Sequence, residues 1–239
     1  MALTDNLIAF YGLSDLTDSS GNNRHLTPNG DVSFVTGKTG NCFQAAGPGG
    51  YLTAEFDGSS WNEFSLSFWA KVTAEMYPNI IYQMDIFGPN NMPLGYVEGL
   101  DLRPFGVSHQ TNAVVNEWNH FVISARGGRG ESWHQSAGNA TIYKNGAIFP
   151  CPDLNFNDFA LVINGIKIGT SGEMQTSNMQ IDSFGIWNRA LSGTEASELN
   201  NNGYGGEIVN GAWVPTPPPP TLVKLQAPVK FFGNVKFAV

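Results

Sequence analysis

The feature that most constrains the fold is a series of short apolar segments separated by turns rich in Gly, Asn and Ser. Residues 64–72 show it best: Phe64, Leu66 and Phe68 alternate with serines, and Trp69 falls on the opposite face. Alternation with a period of two is typical of a strand with one buried face. Because such segments recur along the chain, at a spacing of about eight to twelve residues, the sequence predicts an antiparallel β-sandwich.

Two local signals are more specific. An alternating segment runs into Asn145-Gly146 and a second segment returns, which predicts a hairpin with a type I′ turn. Residues 192–200 have a helical pattern, in which Ser192 is placed to cap the helix and Glu195 to complete a capping box. Further strands are predicted at residues 7–11, 119–125, 166–169 and 181–187.

Charge is sparse and unevenly distributed. Charged residues make up 13% of the chain, about half the usual share for a globular protein, and the net charge is −8. Residues 1–213 hold nine Lys/Arg and all twenty Asp/Glu, a net charge of −11, while residues 214–239 hold three lysines and no acid. An acidic body lacks the basic face that a polyanion needs, which argues against nucleic acid as a partner.

The N-terminus bears on where the protein is made, and the cysteines bear on whether it holds a disulfide bond. Residues 1–6 lack the basic and apolar regions of a secretory signal peptide, so we expect synthesis in a cytoplasm. No apolar run approaches the roughly 18 residues of a membrane span. Cys42 lies in an alternating stretch typical of a core residue, and Cys151 lies between two prolines. Two cysteines do not make a disulfide framework, and a bond between them is the less favoured alternative.

Several segments, taken in order, resemble the laminin-G-like and concanavalin A-like superfamily in its bacterial and phage branch. The most specific is the closing block, in which residues 181–187 are followed by Asn-Arg-Ala-Leu-Ser and then by Glu195 and Leu199. The resemblance covers about residues 5–205. Its other segments are residues 7–11, 18–22, 37–42, 64–71, 117–121 and 142–146.

The resemblance implies a jelly roll of two curved antiparallel sheets. Members of this superfamily hold ligands on the concave face or at rim loops. Many of them bind glycans or proteins, and many hold a structural calcium ion. The resemblance therefore implies a binding surface on a sheet face or at the rim.

A catalytic site is not expected. Glycosidases on this fold need two carboxylates on alternate residues of one strand, whereas the chain offers Glu98-Gly99-Leu100-Asp101, which has a different spacing. No nucleophile elbow surrounds a serine. The histidines have no metal-hydrolase spacing and stand at His25, His109, His120 and His134. We expect a protein that is not an enzyme and needs no cofactor, a structural calcium ion apart.

A calcium site is predicted from Asp18, Asp182 and the carbonyl groups around Gly21. Hard cations prefer several carboxylate and carbonyl oxygens, and the loop of residues 15–22 is rich in them. In relatives, the strand that carries Asp182 passes near this loop. The alternative is that Asp18 and Asn22 make Asx-turns and that Asp182 accepts backbone hydrogen bonds.

Aromatic side chains in predicted loops are the candidates for glycan binding, because sugars need aromatic platforms beside polar groups. Trp133 and His134 stand in the most conspicuous loop and are suited to stacking a sugar or anchoring a protein interface. The alternative is a hairpin tip that folds its own aromatic side chains down. The other candidates are Trp61, Tyr77 and Tyr82, while Trp69, Trp118 and Trp187 are predicted to be core residues.

The C-terminal end has its own pattern. The predicted domains are a sandwich (1–213), a stiff polyproline linker (214–220) of about 20 Å, and an extended arm (221–239). The arm alternates apolar and polar residues and repeats Val-Lys every six residues, which is typical of a strand with one buried face. Its partner-binding residues are predicted to be Val223, Leu225, Val229, Phe231, Val235 and Phe237.

A lone strand cannot bury that face by itself, so the arm is expected to add to the sheet edge of a partner or to intertwine with copies of itself. Its lysines are suited to docking on an acidic surface. The alternative is that it folds back on its own sandwich. These features favour a virion structural protein, a capsid decoration, fibre or spike component, with the sandwich facing outward towards host glycans. The alternative function is a lectin or carbohydrate-binding module that uses the arm to form oligomers.

Deleting residues 214–239 is expected to leave a soluble, folded monomer that no longer joins its assembly, because the arm supplies the docking strand. Light scattering and incorporation into the assembly measure the two parts of this expectation. Normal incorporation of the truncated chain would contradict it.

Overall fold

The computed structural model describes twelve ranges of the chain: 1–45, 50–57, 60–61, 63–72, 82–86, 95–98, 101–104, 109–110, 116–126, 140–150, 161–169 and 179–219. Strands and turns dominate these ranges, and they contain one short α-helix, α1 (Gly193–Asn200). Within them, no helix is long and apolar enough to cross a membrane. The prediction of an all-β, antiparallel sandwich is confirmed.

The strands of the described residues are numbered in chain order. They are β1 (Leu7–Tyr11), β2 (Thr27–Asn29), β3 (Val32–Thr36), β4 (Asn41–Ala45), β5 (Tyr51–Glu55), β6 (Ser60–Trp61), β7 (Glu63–Val72), β8 (Tyr82–Ile86), β9 (Gly95–Glu98), β10 (Asp101–Pro104), β11 (His109–Gln110), β12 (Asn119–Arg126), β13 (Ala140–Lys144), β14 (Ala147–Phe149), β15 (Leu161–Gly169), β16 (Met179–Trp187), β17 (Gly206–Val209) and β18 (Ala212–Pro215).

These strands form two main sheets. The larger sheet has the order β14-β13-β12-β7-β16-β4-β3, and β1 also pairs with β16. The smaller sheet has the order β2-β5-β15-β6, and β8 also pairs with β15. Strands β11-β10-β9 form a three-stranded sheet, and β17 and β18 form a hairpin. All of the pairs are antiparallel, as the short turns between strands predicted.

Apolar side chains from both main sheets form the core. Phe64, Leu66 and Phe68 of β7 meet Ile166 and Ile168 of β15 in one cluster. The alternation of β7 predicted this inward face, and each of these side chains is at most 1% exposed. Burying one such side chain contributes about 1.5–3 kcal/mol. This cluster therefore holds the two layers together.

Part of the other face of the larger sheet is buried as well. Three segments cover it: residues 1–6, helix α1 and the hairpin β17–β18. Trp187 of β16 is fully buried there, and its Nε1 donates to the carbonyl oxygen of Leu3 at 2.6 Å. The second core cluster consists of Leu3, Leu7, Phe10, Val122, Tyr143, Trp187, Leu191, Ala196, Leu199 and Ile208.

Arg189 joins two of the covering segments. Its Nη2 lies 2.7 Å from Oε1 of Glu195 in α1, and its Nε donates to the carbonyl oxygen of Asp5 at 2.8 Å. Burial opposes ionisation of Glu195, but hydrogen bonds from Arg189 and Ser192 outweigh it and hold the pKa of Glu195 below its usual value. The Glu195 side chain also bonds to the backbone of Ser192, so the predicted capping box is confirmed.

The type I′ hairpin is confirmed too. Asn145 and Gly146 both have positive φ, at 51° and 80°, and connect β13 to β14. The Asn145 side chain accepts from the backbone of His120 at 2.9 Å, so the turn is tied to β12.

Two residue-level predictions need comment. Trp118 was predicted to be a core residue, and this is wrong: it is partly exposed just before β12, with Nζ of Lys71 5.1 Å from its ring centroid. Its position at the strand end explains the error, because the sheet does not cover it.

The division into domains stays a prediction, and β18 includes Val214 and Pro215, the first residues of the predicted linker.

A bulge in β16 fixes a buried carboxylate. The pairing of β16 with β7 shifts register between Asp182 and Gly185, and Ser183 has φ 50°. Asp182 is fully buried, and its Oδ2 accepts from the backbone N of Lys38 at 2.7 Å and of Thr39 at 3.0 Å. Its Oδ1 accepts from the hydroxyls of Thr39 and Ser183. Burial raises the pKa of Asp182, although these four donors oppose the shift.

His120 is another buried titratable group of this sheet. It is 2% exposed, packs on Trp69 at 5.0 Å between ring centroids, and places Nε2 2.9 Å from Oγ of Ser67. Its Nδ1 is buried without a hydrogen-bond partner among the described residues. Burial lowers the pKa of His120 to about 3.

Replacing Asp182 by Asn is expected to lower the free energy of unfolding by about 2–3 kcal/mol, because an amide group would face backbone N–H donors that the carboxylate now accepts. Urea unfolding followed by circular dichroism measures the change. Asp31→Asn, at an exposed position, is the matched control and is expected to change little. Equal stability of the two variants would contradict the structural role of Asp182.

The buried His120 is expected to make the protein less stable in acid. Its native pKa of about 3 lies below the model-peptide value of 6.5, so between these pH values the unfolded chain binds a proton that the native chain does not. The stabilisation is complete above pH 6.5 and is lost as the pH falls towards 3. His120→Gln is expected to flatten this dependence in urea titrations at pH 7, 5.5 and 4, and an unchanged slope would contradict it.

Candidate functional site

The exposed side of the smaller sheet carries a group of polar and aromatic side chains, here called the β5 face. It is defined by Asn29 of β2, by Tyr51, Thr53 and Glu55 of β5, and by Lys167 of β15. Glu55 is exposed and the other four are partly exposed. The alternating residues of the same strands, among them Leu52 and Ile168, are fully buried. Period-two alternation therefore puts these five side chains on one outward surface.

Register brings the five residues together. Thr53 lies opposite Lys167 in the pairing of β5 with β15, and Tyr51 lies opposite Gly169. On the other side of β5, Tyr51 lies opposite Asn29. Neighbouring strands are about 4.8 Å apart, so the face is continuous across three strands.

Direct contacts order part of the face. Nδ2 of Asn29 donates to Oγ1 of Thr53 at 3.1 Å, and that hydroxyl donates to the carbonyl oxygen of Thr27 at 3.4 Å. Nζ of Lys167 lies 5.9 Å from the ring centroid of Tyr51, at the outer limit of a cation–π contact. These hydrogen bonds fix the amide and the hydroxyl beside the lysine and the ring.

Glycines flank the lysine on β15. Gly165 and Gly169 stand two residues before and two residues after Lys167 in β15, and both are buried. A Cβ at Gly165 would lie 2.6 Å from the carbonyl oxygen of Ala54, which shows that the β-bulge next to it requires glycine.

The β5 face combines an aromatic ring, an ammonium group, a carboxylate, an amide and a hydroxyl within one exposed surface. Such a set offers stacking together with both hydrogen-bond donors and acceptors. It has no buried nucleophile and no pair of described carboxylates. The arrangement is therefore suited to holding a polyhydroxylated ligand.

Two of the predicted ligand-binding residues lie in strands and not in the predicted loops. Trp61 does not lie in a loop: it is in β6, is 5% exposed and stacks on Phe56 at 6.2 Å between ring centroids, as a core residue does. Tyr82 also lies in a strand, β8, where it pairs with Ile168 of β15. Their neighbours gave no strong strand pattern, which is why a loop was predicted.

The remaining predicted contact residues lie outside the described residues. They are Tyr77, Trp133 and His134, together with the arm residues Val223, Leu225, Val229, Phe231, Val235 and Phe237. Their roles stay predictions. Cys42 is buried in β4 as predicted, and its thiol donates to the carbonyl oxygen of Thr36 at 3.8 Å.

The residues predicted for calcium make hydrogen bonds of their own. Oδ1 of Asp18 accepts from the backbone N of Phe10 at 3.0 Å and from that of Ser20 at 2.9 Å. Its Oδ2 accepts from the backbone N of Arg24 at 2.9 Å. Asp182 is directed to Lys38 and Thr39, as described above, and Gly21 has φ 92° in the intervening turn. In the described part of the chain, no three His, Cys, Asp or Glu side chains cluster as a metal site would require. The hydrogen bonds of Asp18 and Asp182 are those of the alternative given above, and calcium binding stays a prediction.

The backbone of the structure shows where the two acidic residues considered for catalysis lie. Glu98 and Asp101 are partners in the hairpin β9–β10, a relation that the three-residue separation in sequence did not suggest. Only the backbone of these strands is described. The spacing of the pair within one hairpin still differs from two alternate residues of a single strand.

Sequence reasoning missed every residue of the β5 face. Residues 51–55 do alternate, with Leu52 and Ala54 apolar, and this signal could have identified an outward Tyr51 and Thr53. The pairing of β5 with β15 joins residues at least 110 positions apart, and no local pattern predicts it.

No protein-family model matches the chain, and no curated protein matches it in sequence. Solved structures do resemble it in fold. The binding domain of Paraclostridial Mosquitocidal Protein 1 is 19% identical with a TM-score of 0.59, over 85% of this chain and 54% of that one. Domain 4 of AbnA, an extracellular arabinanase of Geobacillus stearothermophilus solved with arabinotriose, is 17% identical with a TM-score of 0.57, over 81% and 97%.

A botulinum neurotoxin serotype D ligand-binding domain, solved with N-acetylneuraminic acid, is 17% identical with a TM-score of 0.56, over 82% of this chain and 50% of that one. The chain thus spans about half the length of the toxin domains that it matches. At this level of identity the likeness concerns the fold. The mosquitocidal-protein and neurotoxin structures named here are described as binding domains.

Proposed function

We propose that this chain is a saccharide-binding β-sandwich, not an enzyme, and that it holds its ligand on the β5 face. The observation that carries the proposal is Tyr51, with Nζ of Lys167 5.9 Å from its ring, beside Asn29, Thr53 and Glu55 on an exposed sheet surface. Sugars present both apolar ring faces and hydroxyl groups, so an aromatic side chain next to fixed polar groups complements them.

The similar structures support this proposal. Two of them are described with saccharides: the arabinanase domain with arabinotriose, and the neurotoxin domain with N-acetylneuraminic acid. These ligands belong to those proteins, and for this chain they favour a saccharide without naming one. A host-surface glycan is the partner we propose.

The number and the burial of the described carboxylates favour a binding role over catalysis. Glu55 is the one acidic side chain of the β5 face, whereas glycoside hydrolysis uses a pair of them. Asp18 and Asp182 are both buried and accept several hydrogen bonds, so neither is available to a substrate.

The second candidate function is assembly into a virion as a decoration, fibre or spike protein. It is supported by the sequence of residues 221–239, which alternates apolar and polar residues and contains three lysines but no acid. The chain leaves the described sandwich after Thr216, whose backbone N donates to Gly205 at 2.9 Å, through exposed prolines at 217–219. Assembly and glycan binding are compatible, and the truncation given above tests the first independently of the second.

Tyr51→Ala and Lys167→Ala are each expected to weaken glycan binding about five- to tenfold, since stacking and a single ionic contact each contribute about 1 kcal/mol. The measurement is a glycan array on residues 1–219, followed by calorimetric titration with the best ligand. Tyr204→Ala and Arg126→Ala, at partly exposed and exposed positions away from the face, are the matched controls.

The experiment has two outcomes against the proposal. One is that no glycan binds specifically and saturably. The other is that a glycan binds and both β5-face variants bind it as tightly as the controls do. Loss of binding on Trp133→Ala alone would move the site to the loop that the sequence singled out.

A further inference from the structure

Besides the β5 face, the sandwich has another exposed polar surface, which is here called the amide strip. It lies on the larger sheet, on the side that faces away from the smaller sheet. It consists of Ser33 of β3, Gln44 of β4, Gln180 of β16, Lys71 of β7 and Trp118, which precedes β12. All five side chains are partly exposed. The covering segments of this sheet bury the next residues of the same strands, Trp69 and Asp182, and leave the strip open.

Register aligns the strip across five strands. Ser33 is the partner of Gln44, Gln44 of Gln180, and Gln180 of Lys71. With four spacings of about 4.8 Å, the strip is about 19 Å long. A single sugar would occupy a fraction of that length, whereas an extended oligosaccharide would match it.

The contacts within the strip leave hydrogen-bonding capacity unused. Nε2 of Gln180 donates to Oε1 of Gln44 at 3.2 Å, and Oγ of Ser33 donates to the carbonyl oxygen of Gln44 at 3.1 Å. Oε1 of Gln180 has no partner among the described residues. This oxygen is buried, and a buried acceptor without a donor costs free energy until a donor reaches it.

One end of the strip is aromatic and cationic. Nζ of Lys71 lies 5.1 Å from the ring centroid of Trp118. Lys71 is the only charged side chain of the strip. The adjacent acid, Glu117, interacts electrostatically with Lys144. An anionic group on the ligand would therefore meet a positive charge in a chain whose net charge is −8.

We propose that the amide strip is a second saccharide site, and that its ligand is an extended oligosaccharide that carries carboxylate groups. The two glutamine amides and Ser33 bind ring hydroxyls, Lys71 pairs with a carboxylate, and the indole of Trp118 packs against a sugar ring. The inference concerns a different face from the one in the proposed function, so either site can exist without the other.

The test uses the full chain carrying Tyr51→Ala and Lys167→Ala, which removes the β5 face. It is titrated with defined acidic oligosaccharides, namely oligogalacturonates of two to eight units and hyaluronan oligomers, and with methyl-esterified oligogalacturonates as neutral counterparts. Binding is expected to increase with chain length, to fall about tenfold on Lys71→Met or Trp118→Ala, and to weaken in high salt. Lys71→Arg is expected to retain it.

The Gln44→Ala and Gln180→Ala variants are expected to weaken binding while keeping the urea midpoint, and Arg126→Ala is the control at the far end of β12. The proposal is overturned if no acidic oligosaccharide binds this background, if the neutral counterparts bind equally well, or if the strip variants bind like Arg126→Ala. Concentration-dependent self-association lost on Trp118→Ala would also overturn it, since the strip would then be an interface between copies. If the amide strip binds no acidic oligosaccharide but the chain with an intact β5 face still binds a glycan, the proposed function stands.

Discussion

Arg189 makes the interaction on which the rest of the structure depends. The larger sheet is apolar on both faces, and only one of them meets the smaller sheet, so a second layer must cover the other. Residues 1–6 and α1 supply part of that layer, and the Arg189 guanidinium holds them together through Glu195 and the carbonyl oxygens of Ala2 and Asp5. The fully buried Trp187 lies beneath them. Removing one partner of such a buried pair is far more costly than its net contribution suggests.

This covering layer decides where ligands can bind. It closes the middle of one face of the larger sheet, where Trp69, His120 and Asp182 are buried. It leaves open the β5 face and the amide strip, on opposite sides of the sandwich. Both surfaces pair a lysine with an aromatic ring, next to amide or hydroxyl groups held by cross-strand contacts. A rigid sheet presents such groups at fixed spacing, which reduces the entropy that a ligand must overcome.

Cationic side chains are scarce in this chain, and several of them lie over aromatic rings. Four of the described ones lie over aromatic rings: Arg24 on Phe56, Lys38 on Trp69, Lys71 on Trp118 and Lys167 on Tyr51. The acidic body therefore carries local positive sites without a basic face. This distribution fits recognition of isolated carboxylates or hydroxyl groups, and it does not suit a polyanion such as nucleic acid.

The sequence by itself determined the all-β class, the inward face of β7, the type I′ turn at Asn145-Gly146 and the capping box of Ser192 and Glu195, because each depends on residues close together in the chain. It could not determine the β5 face or the burial of Trp61 and exposure of Trp118. These follow from pairings such as Thr53 with Lys167 and Lys71 with Gln180, which join distant segments. The tertiary structure decided them because strand register and the covering layer, and not local pattern, select which side chains meet and which stay exposed.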